Sequence, residues 1–468
     1  MPIFLISCKS VVGLNYSVRC MNKSLFRVPL LLLGVILVLI GLSFIPATTI
    51  WGYELKTVDL FADLKDGTPD DLLVADLNLV PVAQKAAPYK CPEGVTCIED
   101  FSAGKPSGMS SFYKALVRVD SMARPVRIAY FGDSFVEGDI LTDELREMLQ
   151  QRFGGCGVGY LSVAPEAPGF RKSVKQFFGG WDAHQAIDSV GFVSRRQSIA
   201  QTYAHPMGTA FTDVTAADKF PHATRFETST FYLTSAQPLT LSATLNDTLK
   251  QKVATQGTGM VEVVHVAGNL KRVRWTLTGN QDVNALGVAV EGKKGITLDN
   301  FALRATSGTH LQTLSADYLQ QLAQVRPYDL IILHYGLNVA SKDQLNYDYY
   351  VTNMLKVVSR LKDCFPTTSI LIVGVGDRET RIHGELHTMK GVLALMQYQQ
   401  QLAALGEVAF WNLYEAMGGD GSIVKLAEKQ PAEARKDYTH ITHEGGRTLA
   451  TYLYDALLAG FDKHLSEQ

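Results

Sequence analysis

Strands and helices alternate at both ends of this sequence, and a long β-rich stretch separates the two alternating regions. Short apolar runs that suit buried strands are each followed by residues with helical spacing. The strand-like runs lie at 125–132, 328–336, 369–376 and 408–413, and the helical runs at 141–153, 311–325, 346–362, 391–405 and 443–459. Alternation of this kind predicts a parallel sheet with helices on both faces.

The middle of the chain, from Ala167 to Lys294, has a different pattern. β-Branched and aromatic residues dominate segments such as RFETSTFYLT, GMVEVVHVA and KRVRWTLTG, and Gly, Asn and Pro residues separate them. Such segments predict short strands joined by turns. We therefore expect an all-β module, a sandwich or jelly roll, over 167–294, which interrupts one α/β domain built from 109–166 and 295–468.

An apolar run at 28–45 contains no charged residue and is 18 residues long. This length is close to the roughly 20 residues that a helix needs to cross a membrane. Basic residues precede the run, and Trp51 and Tyr53 follow it, so we expect a transmembrane helix with 1–27 inside and the rest exported. A cleaved signal peptide is the alternative. Residues 46–108 lack sustained periodicity and predict a linker or stalk.

The cysteines indicate whether the chain folds in an oxidising or a reducing compartment. Cys91 and Cys97 lie six residues apart in CPEGVTC, and a local disulfide between them fits an oxidising compartment. Two unrelated thiols are the alternative. For Cys156 and Cys364, the sequence leaves open either buried thiols or a long-range bridge.

One serine stands where a nucleophile is expected. Ser134, in FGDSFVEG, follows a predicted buried strand and precedes a predicted helix, so it lies at the carboxyl end of a sheet strand. A serine hydroxyl is barely ionised at neutral pH and needs a base to become a nucleophile. That base is expected to be a histidine oriented by a carboxylate.

The C-terminal sequence DYTHITHEGG contains such a pair. Asp437 and His440 are three residues apart, which places both side chains on one side of a turn. His443 is the alternative base. A third motif, Gly336 to Asn338, directly follows a predicted strand, and its asparagine amide is placed to donate a hydrogen bond to a developing oxyanion.

These motifs, in this order, resemble the blocks of the SGNH (GDSL-like) hydrolase superfamily: GDSF, a glycine in RATSG, GLN, and DxxH followed by T-x-x-G. The resemblance implies a flavodoxin-like three-layer α/β/α fold. It also implies that Ser134 is the nucleophile, with Asp437 and His440 completing a catalytic triad. The backbone N–H groups of Ser134 and Gly308 and the side chain of Asn338 are then expected to form the oxyanion hole.

Two features depart from the family pattern. Ser134 and Gly308 are 174 residues apart, whereas the family has a few tens of residues there, and the β module accounts for the surplus. The family usually has an aspartate where this chain has Val339. That aspartate is not a member of the triad, so we expect the change to affect the packing of the loop rather than to exclude activity.

The resemblance extends to bacterial periplasmic proteins that remove acetyl groups from peptidoglycan and other envelope polysaccharides, in which the β insertion resembles a carbohydrate-binding module. It implies an O-acetylesterase in the periplasm, anchored in the inner membrane or released after signal cleavage. Its partner is an acetylated glycan, and no metal or cofactor is expected. An O-acetyltransferase served by a membrane acetyl-export partner and a non-catalytic glycan-binding protein are the alternatives. The 44 basic and 46 acidic residues, with no long basic run, exclude nucleic acid as an expected partner.

Overall fold

The computed structural model describes residues 49–50, 53–54, 91–188, 190–279, 282–342 and 344–467. Strands β1 (Thr49–Ile50) and β2 (Tyr53–Glu54) form an antiparallel pair within a first compact unit, Met1–Asn78. Everything below concerns the second unit, Leu79–Gln468. The predicted membrane segment at 28–45 lies outside the described residues. No helix in the described ranges is both long and apolar enough to cross a membrane.

The second unit contains strands of two sheets, helices that cover one of them, and a small hairpin. The strands are β3 (Glu99–Asp100), β4 (Val126–Gly132), β5 (Gly159–Leu161), β6 (Val174–Gln185), β7 (Thr202–Ala216), β8 (Phe226–Thr234), β9 (Thr240–Leu245), β10 (Leu249–Ala254), β11 (Val261–Leu270), β12 (Arg272–Gly279), β13 (Asn284–Glu291), β14 (Ile296–Ala302), β15 (Leu330–His334), β16 (Ser369–Val373), β17 (Glu379–Ile382), β18 (Glu385–Thr388) and β19 (Ala409–Trp411). The helices are α1 (Ser110–Val117), α2 (Thr142–Phe153), α3 (Ala316–Val325), α4 (Asp348–Cys364), α5 (Lys390–Gly406), α6 (Leu413–Met417), α7 (Ser422–Glu428) and α8 (His443–Ser466).

The central sheet has the strand order β14-β4-β15-β16-β19-β3. Its first five strands are parallel, and in chain order they follow the sequence 2-1-3-4-5 that is typical of flavodoxin-like folds. Every residue of β4, β15, β16 and β19 is buried. Burial on both faces explains why these strands are mostly apolar in sequence. The prediction of a mixed α/β domain with a parallel sheet is confirmed.

Strands β5 to β13 form a separate sheet between the two halves of the α/β domain. All of its pairs are antiparallel, and β7 pairs with β12 along one stretch and with β13 near its start. Strands β8 and β12 contribute to one apolar core of this sheet. The rings of Phe231 on β8 and Trp275 on β12 have centroids 5.8 Å apart. The indole N–H of Trp275 also donates to Ser229 Oγ at 2.9 Å. An all-β module therefore interrupts the α/β domain, as the sequence indicates.

The chain enters and leaves the module at neighbouring points of the α/β domain. The chain leaves that domain after α2 and returns to it at β14. Ile296 at the start of β14 donates its N–H to the carbonyl of Gly154 just after α2, at 2.8 Å. The point of exit and the point of return are therefore hydrogen-bonded to each other.

Two predicted boundaries differ from the structure. Strand β5 lies before 167, yet it pairs with Val288 to Val290 of β13 and so belongs to the sheet of the module. Residues 91–108, assigned above to a stalk, pack on the α/β domain: β3 extends the central sheet next to β19, and Ser107 accepts a hydrogen bond from Ile370 N at 3.0 Å. Strands of two or three residues carry too little periodicity to be recognised in a sequence.

The cysteines divide as follows. Cys91 and Cys97 form a disulfide, with an S–S distance of 2.06 Å, which confirms the predicted local bridge. Cys156 and Cys364 are buried free thiols, so the long-range bridge that the sequence left open does not form.

Candidate active site

Ser134 lies directly beyond the carboxyl end of β4 and is half-buried. Strand β4 pairs with β14 on one side and with β15 on the other, which makes it the strand at which the order of the sheet reverses. In open α/β sheets, ligands bind beyond the carboxyl ends of the strands at this switch point. The fold therefore places Ser134 where such a sheet has its binding crevice.

The structure brings His440 and Asp437 to this serine across 306 residues of sequence. Ser134 Oγ is 3.2 Å from His440 Nε2, and His440 Nδ1 is 2.9 Å from Asp437 Oδ2. With the proton of the neutral imidazole on Nδ1, the ring donates to Asp437 and accepts from the hydroxyl of Ser134. These three side chains thus have the connectivity of a nucleophile, a base and an orienting carboxylate.

Asp437 is fixed by its own turn. Its Oδ1 accepts hydrogen bonds from the backbone N–H groups of Thr439 and His440, each at 3.0 Å. Partial burial would raise the pKa of Asp437, but the backbone and side-chain hydrogen bonds from His440, together with the one from Thr439, hold that pKa below its ordinary value. The carboxylate is therefore ionised at neutral pH and holds the imidazole in the Nδ1–H tautomer.

Helix α8 positions the loop that carries His440. Thr442 caps the helix by accepting a hydrogen bond from Gly445 N at 3.2 Å. The next residue, Gly446, lies against the segment after the nucleophile loop, because a Cβ added to it would come within 1.7 Å of Ile140 O. This close approach holds the C-terminal loop next to the loop that carries Ser134.

His443, the alternative base, is the first residue of α8. Burial and the charges of Lys219 and Lys172 lower its pKa. The imidazole within hydrogen-bond distance of Ser134 Oγ is that of His440. The geometry thus favours His440 as the partner of the serine.

The two other residues predicted for the oxyanion hole lie on neighbouring loops. Asn338 Nδ2 donates to Thr306 O at 3.1 Å, which ties the loop after β15 to the loop that carries Gly308. An amide NH₂ group has two protons, so a second donor of Asn338 remains for an acceptor. Gly308 has φ of 87°, and a Cβ added to it would lie 2.6 Å from the ring of Tyr335. Only glycine fits this position without strain.

Asp133, next to Ser134, is a residue that the sequence analysis did not single out. Its side chain is 1% exposed, and its Oδ1 accepts a hydrogen bond from Phe135 N at 2.9 Å. The backbone N–H groups of Leu337 and Gly336 also stabilise this carboxylate. Its Oδ2 makes no hydrogen bond with any residue that the structure describes, so Asp133 lies near the loop that carries Asn338 without being hydrogen-bonded to it. The acid is visible in the GDS motif, but its burial depends on contacts with a distant strand.

We expect Asp133 to make stability depend on pH. Burial raises its pKa from 3.8 to about 6, although the N–H groups of Phe135 and Leu337 act in the opposite direction. Because the folded state binds this proton more tightly than the unfolded state, its contribution to stability is present below about pH 4 and is lost as the pH rises through about 6. The loss is of order 2–3 kcal/mol.

The measurement is the free energy of unfolding in urea at several pH values for the wild type and for Asp133→Asn. As the pH rises from 4 to 8, the free energy of unfolding of the wild type is expected to fall relative to that of Asp133→Asn. A difference that stays constant over this range would contradict the raised pKa.

Arg378, which follows the strand-like run at 369–376 and is a candidate from the sequence for lining the cleft, also contributes to this site. Its Nη1 donates to Leu337 O at 3.0 Å and to Ala340 O at 3.3 Å, on either side of Asn338. This guanidinium holds the shape of the loop that carries Asn338.

Among the residues that the structure describes, no group of three or more His, Cys, Asp or Glu side chains is placed to hold a metal ion.

No protein-family model matches the chain, and no curated protein matches it in sequence. Solved structures do match. One, described as a peptidoglycan O-acetylesterase in action, is 23% identical with a TM-score of 0.64, and the alignment covers 78% of this chain and 99% of that one. This coverage is larger than the α/β domain alone, so the likeness includes the β module. At this identity the similarity establishes a shared fold.

Two other matches are more distant. A family two carbohydrate esterase from Cellvibrio japonicus is 9% identical, with a TM-score of 0.25 and coverage of 62% of this chain and 99% of that one. An acetyl xylan esterase is 12% identical, with a TM-score of 0.25 and coverage of 34% and 81%. TM-scores this low carry no argument about this chain.

Proposed function

We propose that this chain, which has the fold of the SGNH-like hydrolases, is a serine esterase that removes O-acetyl groups from peptidoglycan or another cell-envelope polysaccharide. The observation that carries the proposal is the continuous hydrogen-bonded path from Ser134 through His440 to Asp437 at the switch point of the sheet. The solved structure with the same two-part fold is described as a peptidoglycan O-acetylesterase, which supports the choice of substrate.

In the first half of the proposed reaction, Ser134 Oγ attacks the carbonyl carbon of the acetyl ester. His440 Nε2 takes the proton of the serine, and Asp437 stabilises the imidazolium that forms. The carbonyl oxygen becomes an oxyanion, for which the N–H groups of Ser134 and Gly308 and the amide of Asn338 are the donors. When the tetrahedral intermediate collapses, the ester C–O bond breaks, and His440 gives its proton to the departing sugar oxygen.

In the second half, a water molecule attacks the carbonyl carbon of the acetyl-serine. His440 takes a proton from this water, and a second oxyanion forms in the same place. Collapse breaks the bond between Ser134 Oγ and the acetyl carbon, releases acetate and returns the proton from His440 to the serine. Every proton that leaves the serine or water is thus carried by one imidazole.

The exposure of the site favours water over a sugar as the acceptor. The side chains of His440 and Asp437 are 35% and 46% exposed. An enzyme that passes an acetyl group to a hydroxyl must keep water away from the acyl intermediate, which a closed site does and an open one does not. Hydrolysis is therefore the proposed outcome, and transfer to a glycan hydroxyl is the second candidate.

The proposal includes export to the periplasm by the predicted anchor at 28–45. The disulfide between Cys91 and Cys97 supports this location, because structural disulfides persist in oxidising compartments. The acetylated glycans of the cell envelope occupy the same compartment.

The test is acetate release from O-acetylated peptidoglycan by the protein, with and without a large excess of a non-acetylated oligosaccharide as acceptor. We expect acetate release that the acceptor does not reduce. Acetyl groups found on the acceptor in place of free acetate would identify a transferase. Equal acetate release by a Ser134→Ala variant would rule out the proposed chemistry.

A further inference from the structure

A cavity of about 140 Å³ lies between the loop that follows Ser134 and the start of the β module. We call it the junction cavity. Glu137 and Arg304 line it from the α/β domain, and Glu166, Phe170 and Gln185 line it from the opposite side. Because Glu137 is only three residues beyond Ser134, the cavity adjoins the nucleophile loop.

Direct contacts hold the two walls of the junction cavity together. Within the first wall, Arg304 Nε donates to Glu137 Oε1 at 2.8 Å. Across the cavity, the guanidinium carbon of Arg304 lies 5.5 Å from the centroid of the Phe170 ring. A Cβ added to Gly138 would lie 3.0 Å from Phe170 Cβ, so the two loops are in van der Waals contact. The cavity is therefore a preformed feature of the junction, with its shape fixed by an ion pair and an aromatic ring.

The charges in the junction cavity give an anionic ligand no net attraction. The carboxylates of Glu137 and Glu166 both lie near the single guanidinium of Arg304, and their effect, led by the hydrogen bond to Glu137, raises the pKa of Arg304. Arg171 also lines the cavity, and it shares the buried carboxylate of Asp139 with Arg146, with N–O contacts of 3.0 and 2.8 Å. The four charged residues of the lining, Glu137, Glu166, Arg171 and Arg304, sum to zero, so a carboxylate or phosphate on a ligand would find no excess positive charge to bind.

The remaining groups suit a ring that carries hydroxyls. Phe170 is 52% exposed, although an aromatic ring is usually largely buried. Beside it, Gln185 Nε2 donates to Glu166 Oε2 at 3.2 Å, which leaves the other carboxylate oxygen and the amide oxygen as acceptors for hydroxyl groups. A sugar ring presents C–H groups on one face and hydroxyls at its edge. It can therefore contact the aromatic ring and donate to these acceptors at the same time.

We propose that the junction cavity is a binding subsite for an uncharged sugar ring of the glycan, next to the ring whose acetyl ester reacts at Ser134. The inference rests on the proposed function. In this arrangement the β module supplies one wall of the subsite, and Phe170 packs against the face of the sugar while Glu166 and Gln185 accept from its hydroxyls. The subsite selects glycan esters over small acetyl esters that end before they reach it.

The first test measures binding without catalysis. Uncharged N-acetylglucosamine oligosaccharides are titrated by calorimetry into a Ser134→Ala protein, alone and combined with Phe170→Ala or Glu166→Gln. We expect Phe170→Ala to weaken Kd about tenfold, the usual effect of removing one aromatic contact, and Glu166→Gln to weaken it less. Phe177→Ala is the matched control, because Phe177 is a 65% exposed ring on β6 that does not line the cavity. It is expected to leave Kd unchanged.

A second readout links the subsite to turnover in otherwise wild-type protein. The ratio of kcat/KM for O-acetylated glycan to kcat/KM for p-nitrophenyl acetate is expected to fall about tenfold in Phe170→Ala and to stay constant in Phe177→Ala. Oligosaccharide binding that is absent, or that Phe170→Ala and Phe177→Ala affect equally, would overturn the subsite. Failure of the proposed function has a different signature, namely the absence of Ser134-dependent acetate release, and it leaves the binding measurement intact.

Discussion

Ser134→Ala is expected to lower kcat for acetyl ester hydrolysis about 10⁴- to 10⁶-fold, because it removes the Oγ atom that lies 3.2 Å from His440 Nε2 and is proposed to form the acyl intermediate. His440→Ala is expected to reach the same floor, since an unactivated hydroxyl is a poor nucleophile. The double variant is expected to be no slower than either single variant. Residues that act as one unit are strongly non-additive. The measurement is kcat for p-nitrophenyl acetate, with protein concentration high enough to quantify the residual rate.

The matched control is His443→Ala, three residues from His440 on the first turn of α8. The geometry places His440 within 3.2 Å of Ser134 Oγ, so His443→Ala should keep kcat within a few fold of the wild type. A large loss in His443→Ala with a small loss in His440→Ala would reverse the assignment of the base. Simple additivity of the Ser134 and His440 effects would show that the two residues do not act together.

Arg326→Leu is expected to have the largest effect on stability. Arg326 is fully buried and donates to Asp299 at 2.7 and 2.8 Å, to Glu291 at 3.0 Å and to Tyr232 at 2.9 Å. Asp299 belongs to β14 of the α/β domain, whereas Glu291 and Tyr232 belong to the β module. One guanidinium thus joins the two parts of the fold through hydrogen bonds that water cannot replace.

Removal of this cation leaves Asp299 buried without a positive partner, and such a change costs about 3–5 kcal/mol. The free energy of unfolding in urea is the measurement. Arg225→Leu is the control. Arg225 is 52% exposed and forms a surface ion pair with Glu227 at 3.6 Å, and such a pair contributes about 0–1 kcal/mol. Adding Asp299→Asn to Arg326→Leu should recover part of the loss. If Arg326→Leu were no more harmful than Arg225→Leu, the buried cluster would not be what joins the module to the domain.

The parallel sheet and the β module could be predicted because both depend on local patterns. Continuous apolar runs such as the one at β4 arise from burial on both faces, and the β-branched segments of the module alternate with turns. The predicted site depends on short motifs at the ends of these elements. The structure places Ser134 after β4 and His440 on the loop before α8, and it brings the two side chains together although 306 residues separate them.

What could not be predicted depends on contacts between distant segments. Strand β3 has only two residues and forms because β19 offers it a free edge. The burial of Asp133 and the hydrogen bonds from Arg378 to the loop around Asn338 both require the sheet to be assembled. The junction cavity exists only where the module meets the α/β domain. None of these features has a periodicity or a motif of its own.

The hydrogen bond between Ile296 and Gly154 has a consequence for the entropy of the chain. Strands β4 and β14 are neighbours in the sheet, yet the whole module lies between them in sequence. An unstructured segment of that length would impose a closure cost that grows with the logarithm of its length. Once the module has folded and its two ends meet, α2 and β14 are connected as closely as by a turn. The domain therefore accommodates more than a hundred inserted residues at nearly the entropic cost of a hairpin.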